Sequence, residues 1–333
     1  IVKYILNLIQ LVRLSNVLKR MPEEEFKGIP VTIAILSNAT KRLIEQILPV
    51  VGFRFGLVIE VVSVDYGQVM QEAVSPDSAM YKSKLDYVLI ALDHRAYQLV
   101  ESHHLKNATT LLDGVRSGVR KNSEASCIFQ TIARPEEPLF GNLDRRVKHS
   151  DRSLITDINQ LLIQNVEIYD EYLLDVEALS ENIGLSNWHD EKQWNMAKFP
   201  FSQKYIPLYA DNLCRLISAV KGKSRRCIVL DLDNTLWGGV IGDDGLDGIA
   251  IGQGDIAGES FLSFQNTLLK LRDRGIVLAV CSKNDERIAK QVFLEHPEML
   301  IKMEHIASFK ANWNDKASNI KAIAEELSLG LDS

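Results

Sequence analysis

The sequence has little cysteine, no long uninterrupted apolar run and no excess of positive charge. Its four cysteines, Cys127, Cys214, Cys227 and Cys281, lie far apart. Neither a disulfide framework nor a zinc site has that spacing, so a reducing, cytoplasmic setting is expected. The apolar opening, Ile1 to Leu14, is broken by Lys3, Asn7, Gln10 and Arg13. That is too polar and too short for a spanning helix or a signal segment, so an amphipathic helix packed on the fold is expected, with no membrane partner. The chain begins with Ile rather than Met, so residues ahead of it are expected in the natural protein. A net charge of −6 argues against nucleic acid as a partner, because phosphate backbones are held by clustered Lys and Arg. Small phosphorylated ligands need only a local positive site and remain open.

What is present is an ordinary globular composition, 46% apolar and 25% charged, over 333 residues. That length favours two domains. A helical segment is expected over 1–30 and an α/β domain over 31–220. In the latter, strand candidates at 31–36, 57–64, 86–92, 125–132 and 166–169 alternate with helical stripes. One stripe is Leu43, Ile44, Ile47, Leu48 and Val51; another is Leu154, Ile155, Ile158, Leu161 and Leu162. Alternation of this kind predicts a doubly wound parallel sheet, whose ligands sit beyond the carboxyl ends of the strands. Ser37 and Asn38 fall at such an end and form a candidate site. Ser37 reads either as a nucleophile with His94 or His189 as base, or, with Thr40, as a helix cap, since no GxSxG elbow surrounds it. His103 and His104 read as exposed. Arg145-Arg146-Val147-Lys148-His149 reads as a solvated basic loop within a proline-bearing connection over 133–150, and 188–202 as an irregular aromatic connection.

The boundary is expected in Lys221-Gly222-Lys223-Ser224-Arg225-Arg226, and a second domain over 221–333. It opens on the apolar run Cys227-Ile228-Val229-Leu230, which ends in Asp231-Leu232-Asp233. Side chains two apart on extended backbone face one side, so the two carboxylates are expected in one small volume. A proton or a cation must then relieve their repulsion, as in magnesium-assisted phosphoryl transfer; the plainer reading is two unconnected acids at a solvated strand end. Eight glycines between Gly238 and Gly258 read as a flexible flap rather than regular structure. A helix follows with Phe261, Phe264, Leu268 and Leu271 on its apolar face, then a strand over 276–280 ending in Cys281-Ser282-Lys283-Asn284. A last helix begins near Asn314, with Ile320, Ile323, Ala324 and Leu327 on its stripe and Lys316 in its first turn. A lysine there opposes the helix dipole, which points to an anionic partner.

These pieces resemble the first three motifs of the haloacid dehalogenase (HAD) superfamily: Asp231, Asp233 and Thr235, then Ser282, then Lys316. The wording Asp-Leu-Asp-Asn-Thr-Leu-Trp-Gly-Gly, then Cys-Ser-Lys-Asn-Asp, then Asn-Trp-Asn-Asp-Lys resembles the FkbH-like group more narrowly. The N-terminal half resembles the SGNH-hydrolase-like, flavodoxin-like domain that precedes the HAD-like, Rossmannoid domain in that group. The resemblance implies that Asp231 is a phosphoryl-accepting nucleophile and Asp233 the general acid and base. Ser282 would bind the phosphoryl oxygens, with Thr235 and Asn284 beside it, and Lys316 would neutralise charge. Mg2+ would bind the Asp231 carboxylate and the backbone carbonyl of Asp233. It also implies transfer of an acyl (glyceryl) group from a phosphorylated small-molecule donor to an acyl carrier protein, in secondary-metabolite or surface-glycan biosynthesis. Cys281 then reads either as the thiol holding the acyl group or as a small buried cysteine.

A fourth acidic motif, which completes the metal shell in that superfamily, does not appear before the chain ends at Gly330-Leu331-Asp332-Ser333. Weak magnesium binding and poor turnover are therefore expected of this polypeptide. A plain phosphatase or hydrolase with a structural or esterase-like N-terminal domain is the first alternative. A non-catalytic carrier-protein docking module is the second.

Overall fold

The computed structural model describes residues 6–21, 27–97, 99 and 103–331. The chain divides into two compact units, Ile1–Gly222 and Lys223–Ser333. Ile1 to Ile5 of the expected amphipathic opening, and Asp332 and Ser333 at the other end, lie outside the described residues.

The first unit begins with α1 (Leu8–Leu18), capped by a reciprocal pair in which Asn7 and Gln10 each bond the other's backbone amide. Then come β1 (Ile29–Ser37), α2 (Arg42–Phe53), β2 (Leu57–Val62), α3 (Val69–Val74), β3 (Tyr87–Ala91) and α4 (His104–Asn122). They are followed by β4 (Ser126–Gln130), α5 (Asp151–Tyr169), β5 (Tyr172–Leu174), α6 (Val176–Ile183), α7 (Leu185–Trp188), α8 (Glu191–Ala197) and α9 (Ile206–Val220). The strands form one parallel sheet in the order β2-β1-β3-β4-β5. The order reverses between β1 and β3, the point where doubly wound sheets open a ligand crevice.

Period-two alternation builds two cores from one strand. Ile33 and Ile35 of β1 face a layer with α1, α2 and α9, where Ile47, Leu48, Leu213 and Ile217 are buried. Ala34 and Leu36 face the opposite layer, with Leu112 and Val115 of α4 and Ile155 and Ile158 of α5. Each fully buried Leu or Ile of these layers contributes roughly 1.5–3 kcal/mol of apolar transfer.

Four expectations are corrected here. Residues 166–169 are not a strand but the last turn of α5, which ends where Asp170 turns left-handed (φ 53°). The strand follows at β5, because the helical stripe that began at Leu154 carries through Val166 on the core side. The connection over 188–202 contains the short helix α8, capped by Asp190. His104 is buried rather than exposed, with Nε2 3.2 Å from Asp157 Oδ2. Neither Ser37 nor Thr40 caps α2: its N-cap residue is Lys41, and the Thr40 hydroxyl donates to the Ala197 carbonyl at 2.6 Å.

The second unit holds β6 (Cys227–Leu230), α10 (Ile241–Gly248), α11 (Ile256–Asp273), β7 (Val277–Ser282), α12 (Glu286–Glu295), β8 (Ile306–Ala311) and α13 (Lys316–Glu326). Its parallel sheet runs β6-β7-β8. The glycine-dense flap is not wholly irregular, since α10 forms within it, kinked at Gly245 (φ 68°). On α11 the buried positions are Gly258, Gln265 and Leu268, while Phe264 is exposed. The face turned to the core is therefore rotated from the expected stripe, because Gln265 supplies bonds the core needs. Its amide donates to the Leu236 carbonyl at 2.8 Å and its Oε1 accepts from the amides of Leu300 and Ile301. Ile320 of α13 and Val229 of β6 are each 38% exposed, so the flank of β6 is less covered than that of β7.

Candidate active site

Three parallel strands deliver their carboxyl ends to one edge. Asp231 follows the last residue of β6, Ser282 ends β7, and Asn312 follows the last residue of β8. The turn after β8 is held by Asn312, whose Oδ1 accepts from the Asn314 amide at 3.0 Å and from Asn319 Nδ2 at 2.8 Å. Asp315 caps α13, and Lys316, its first residue, reaches back over the strand ends.

The Asp231 carboxylate collects all three motifs. Its Oδ2 lies 2.5 Å from Lys316 Nζ; its Oδ1 accepts from Ser282 Oγ at 2.6 Å and from the Leu232 amide at 3.0 Å. Burial pushes the Asp231 carboxyl up, but the bonds from Lys316, Ser282 and Leu232 together outweigh it, so the group lies below the ordinary carboxylate range. With its side chain 40% exposed, it presents an ionised oxygen open to an incoming ligand. The ammonium expected to have an anionic partner is opposite Asp231, and it relieves the local negative charge.

Asp233 is turned toward the flap. Its Oδ1 accepts from Trp237 Nε1 at 3.0 Å and from the Ile241 amide at 3.1 Å, and its Oδ2 from Asn284 Nδ2 at 3.0 Å. Asn284 Nδ2 also donates to Ser282 Oγ at 3.1 Å. The two aspartates are thus joined by a continuous polar chain, Asp231 to Ser282 to Asn284 to Asp233. Directly after Asp233, Asn234 adopts left-handed backbone (φ 53°), and its Oδ1 accepts from the Gly239 amide at 3.0 Å. Gly239 itself has φ 93°, and a Cβ there would meet Asp244 Oδ2 at 2.6 Å, so a side chain would break the flap's return. Thr235 sits half-buried in this turn, its amide bonded to the Leu232 carbonyl.

Cys281 does not face this crevice. Strand alternation turns it to the opposite side of β7 from Ser282, where it is 4% exposed among Ala279 and Ile323, with Sγ 3.8 Å from the Lys316 carbonyl. Burial pushes its thiol up, against a smaller opposing pull from Lys316. A buried, protonated thiol is a poor acyl acceptor, so its reading as a small packed cysteine replaces that of a carrier thiol.

The crevice of the first unit has other contents. Ser37 is 3% exposed, and its Oγ accepts from the Ala39 amide at 3.1 Å. Asn38 and Asp93 bond reciprocally, Nδ2 to Oδ1 at 2.8 Å and the Asp93 amide to Asn38 Oδ1 at 3.1 Å. His94 and His189 pack edge to face with ring centroids 6.0 Å apart. Burial pushes His94 down to about 4, against the opposing effect of Asp93, and pushes His189 down as well. His189 Nε2 is bonded to the Arg134 carbonyl at 2.6 Å. Among the described residues no hydrogen bond joins Ser37 to either imidazole, so the expected serine and base are not assembled.

Two supports of the site were not among the expected residues. Trp237, fully buried, and the Ile241 amide hold Asp233, and the Asn312–Asn319 amide pair holds the turn before Lys316. The signal for the second was present as two asparagines seven apart across a helix start. For the first, nothing local distinguishes Trp237 from any core tryptophan.

The donor set fits a hard cation of modest coordination by protein. Mg2+ binds through one or two carboxylates and keeps several waters; the Asp231 carboxylate and the Asp233 backbone carbonyl are the groups here that would hold it. Among the described residues there is no group of three or more His, Cys, Asp or Glu placed to hold a metal. No helix among them is long and apolar enough to cross a membrane.

Residues 32–218 match the family model described as FkbH, N-terminal domain. Among solved structures, the chain is similar to the N-terminal part of the protein BF1531 from Bacteroides fragilis, described as containing a phosphatase domain complexed with Mg. Identity is 30%, the TM-score is 0.85, and the match covers 98% of this chain and 86% of that one. A GDSL-like lipase, BT0569, from Bacteroides thetaiotaomicron shares 11% identity at a TM-score of 0.31 over 66% of this chain and 99% of that one, too distant to carry weight. No curated protein matches the chain.

Proposed function

The chain belongs to the FkbH family, and from that premise we propose that its second unit is a HAD-type, Mg2+-dependent phosphatase centred on Asp231. The observation that carries the reading is the convergence of Ser282 Oγ and Lys316 Nζ on the Asp231 carboxylate. Asp231 attacks the phosphorus of a phosphorylated small molecule; an Oδ–P bond forms and the ester P–O bond breaks. Asp233 gives the leaving oxygen its proton, then takes one from the water that hydrolyses the aspartyl phosphate. Among the described residues its Oδ2 accepts one hydrogen bond, from Asn284, which leaves a lone pair for that proton. Lys316 offsets the charge that the carboxylate and the phosphoryl oxygens bring together, Ser282 donates to the transferring group, and Thr235 and Asn284 fix the turn around it. Bound at Asp231 and Asp233, Mg2+ would supply Lewis-acid stabilisation of the phosphoryl oxygens.

The test is phosphate release from phosphate monoesters with and without Mg2+. Asp231→Asn is expected to lower the rate by about 10³-fold or more, since it removes the nucleophile. A rate equal to that of the parent chain would overturn the assignment.

The finer part of the proposal is that dephosphorylation accompanies transfer of an acyl (glyceryl) group to an acyl carrier protein, in a cytoplasmic biosynthetic pathway. Family membership supports it, and the SGNH-like reading of the first unit belongs to the same proposal. The burial of Cys281 favours a second reading, a plain phosphatase with a structural first unit. Mass spectrometry of a carrier protein incubated with the chain and a phosphorylated donor separates the two. An added acyl mass supports transfer; donor dephosphorylation alone supports the plain phosphatase.

A further inference from the structure

One residue of the exposed basic loop, Arg145, borders a cavity of the first unit. Arg145, Arg152 and Arg134 converge on a cavity of about 270 Å³, whose lining also includes Ser153, Glu177 and Glu181. Arg134 lies four residues beyond the end of β4, and its carbonyl accepts a hydrogen bond from His189 Nε2. Arg152 lies in the first turn of α5, capped by Ser150, where the helix dipole adds positive potential.

The acids around the cavity are already engaged. Glu181 Oε1 takes Arg134 Nη2 at 2.6 Å, Glu177 Oε2 accepts from Asn159 Nδ2 at 2.9 Å, and Asp157, also on the wall, lies against His104. Arg134 Nε is buried without a hydrogen-bond partner, 3.8 Å from the nearest Glu177 oxygen. Arg145 and Arg152 form no ion pair among the described residues. Burial, then the neighbouring Arg134 and Arg145, push the Arg152 guanidinium down, against the opposing pull of Asp144 and Glu181.

We propose that this cavity is an oxyanion site that takes the phosphate group of a small phosphorylated molecule. Guanidinium forks match phosphate oxygens, and Arg145 and Arg152, which form no ion pair among the described residues, line one cavity with Arg134, whose Nε makes no hydrogen bond. A volume near 270 Å³ falls just below the roughly 300–1,000 Å³ of typical small-molecule pockets. It suits a phosphorylated fragment of a few carbons. The site belongs to the first unit and stands whether or not Asp231 is a nucleophile.

Calorimetric titration of the full chain with inorganic phosphate tests it. Lys316→Ala is the background, because that ammonium could also attract phosphate. Binding is expected to persist in Lys316→Ala and to weaken at least about tenfold when Arg145→Gln and Arg152→Gln are added, with the unfolding temperature without phosphate unchanged. If the combined variant unfolds, Arg145→Gln alone, at an exposed position, is expected to show a smaller weakening in the same direction. Loss of all binding in Lys316→Ala, or equal affinity with and without the two arginines, overturns the proposal.

Discussion

Two parallel sheets in one chain present their carboxyl edges, and the two edges are built from opposite chemistry. In the second unit Asp231 is ionised, partly exposed and surrounded by donors that sharpen its charge. In the first, Ser37 is buried, Asn38 and Asp93 satisfy each other, and His94 and His189 are held neutral by burial. Sheet topology places a crevice in both, but it does not decide what the crevice does. Reactivity requires a charged group left with an accessible oxygen and a partner that moves with the reaction. Internal satisfaction of every polar group yields rigidity instead.

That contrast can be broken most directly at Lys316. Lys316→Ala is expected to lower phosphate release by about 10²–10³-fold, because it removes the cation facing the reacting oxygens, and steady-state rates on a phosphate monoester measure it. Retention of the parent rate would make the second edge as inert as the first is drawn. Ser282→Ala should act more mildly. It removes one donor to Asp231, so the carboxyl rises toward its ordinary value and the acid limb of the kcat/KM profile moves to higher pH. An unmoved limb would show that Ser282 does not help to set the ionisation of Asp231.

For the first edge the signature is stability rather than rate. His94 is pushed down to about 4 in the folded chain from an ordinary value of 6.5. Between those values the unfolded chain binds the proton and the folded chain does not, so stability is fully present above pH 6.5 and is lost as pH falls toward 4. The contribution is on the order of 3 kcal/mol. Unfolding temperatures of the chain and of His94→Gln should therefore converge as pH drops through that window. Parallel curves would mean that His94 is not buried neutral. Smallest of all is Ser37→Ala, expected to leave phosphate release unchanged; a large loss of rate would join the two edges in one reaction.

Local pattern was enough to locate the pieces of the Asp231 crevice, because each piece sits where an element changes type. Asp231 and Ser282 end apolar runs, and Lys316 opens an amphipathic helix against the sense of its dipole. The two-core sandwich of the first unit was equally legible in alternating strands such as Val31–Leu36. Val166–Tyr169 was misread because a buried helix turn and a short strand share the same residues, and only length separates them. His104 looked exposed because its aspartate partner lies 53 residues away. Gln265 was invisible because its value comes from three backbone groups that only the folded chain brings within reach.

What the sequence determined by itself was most of the order of strands and helices, the presence of two α/β units and the carboxylate on which Ser282 and Lys316 converge, since these depend on periodicity and on residues adjacent along the chain. Tertiary structure alone decided the rest. It turned Cys281 away from Ser282 and into the layer beneath α13, linked Asp231 to Asp233 through Ser282 and Asn284, and drew Arg134, Arg145 and Arg152 to one cavity. The reason is physical: ionisation, burial and hydrogen bonding are set by neighbours in space, and those neighbours come from strands and loops that the sequence holds far apart.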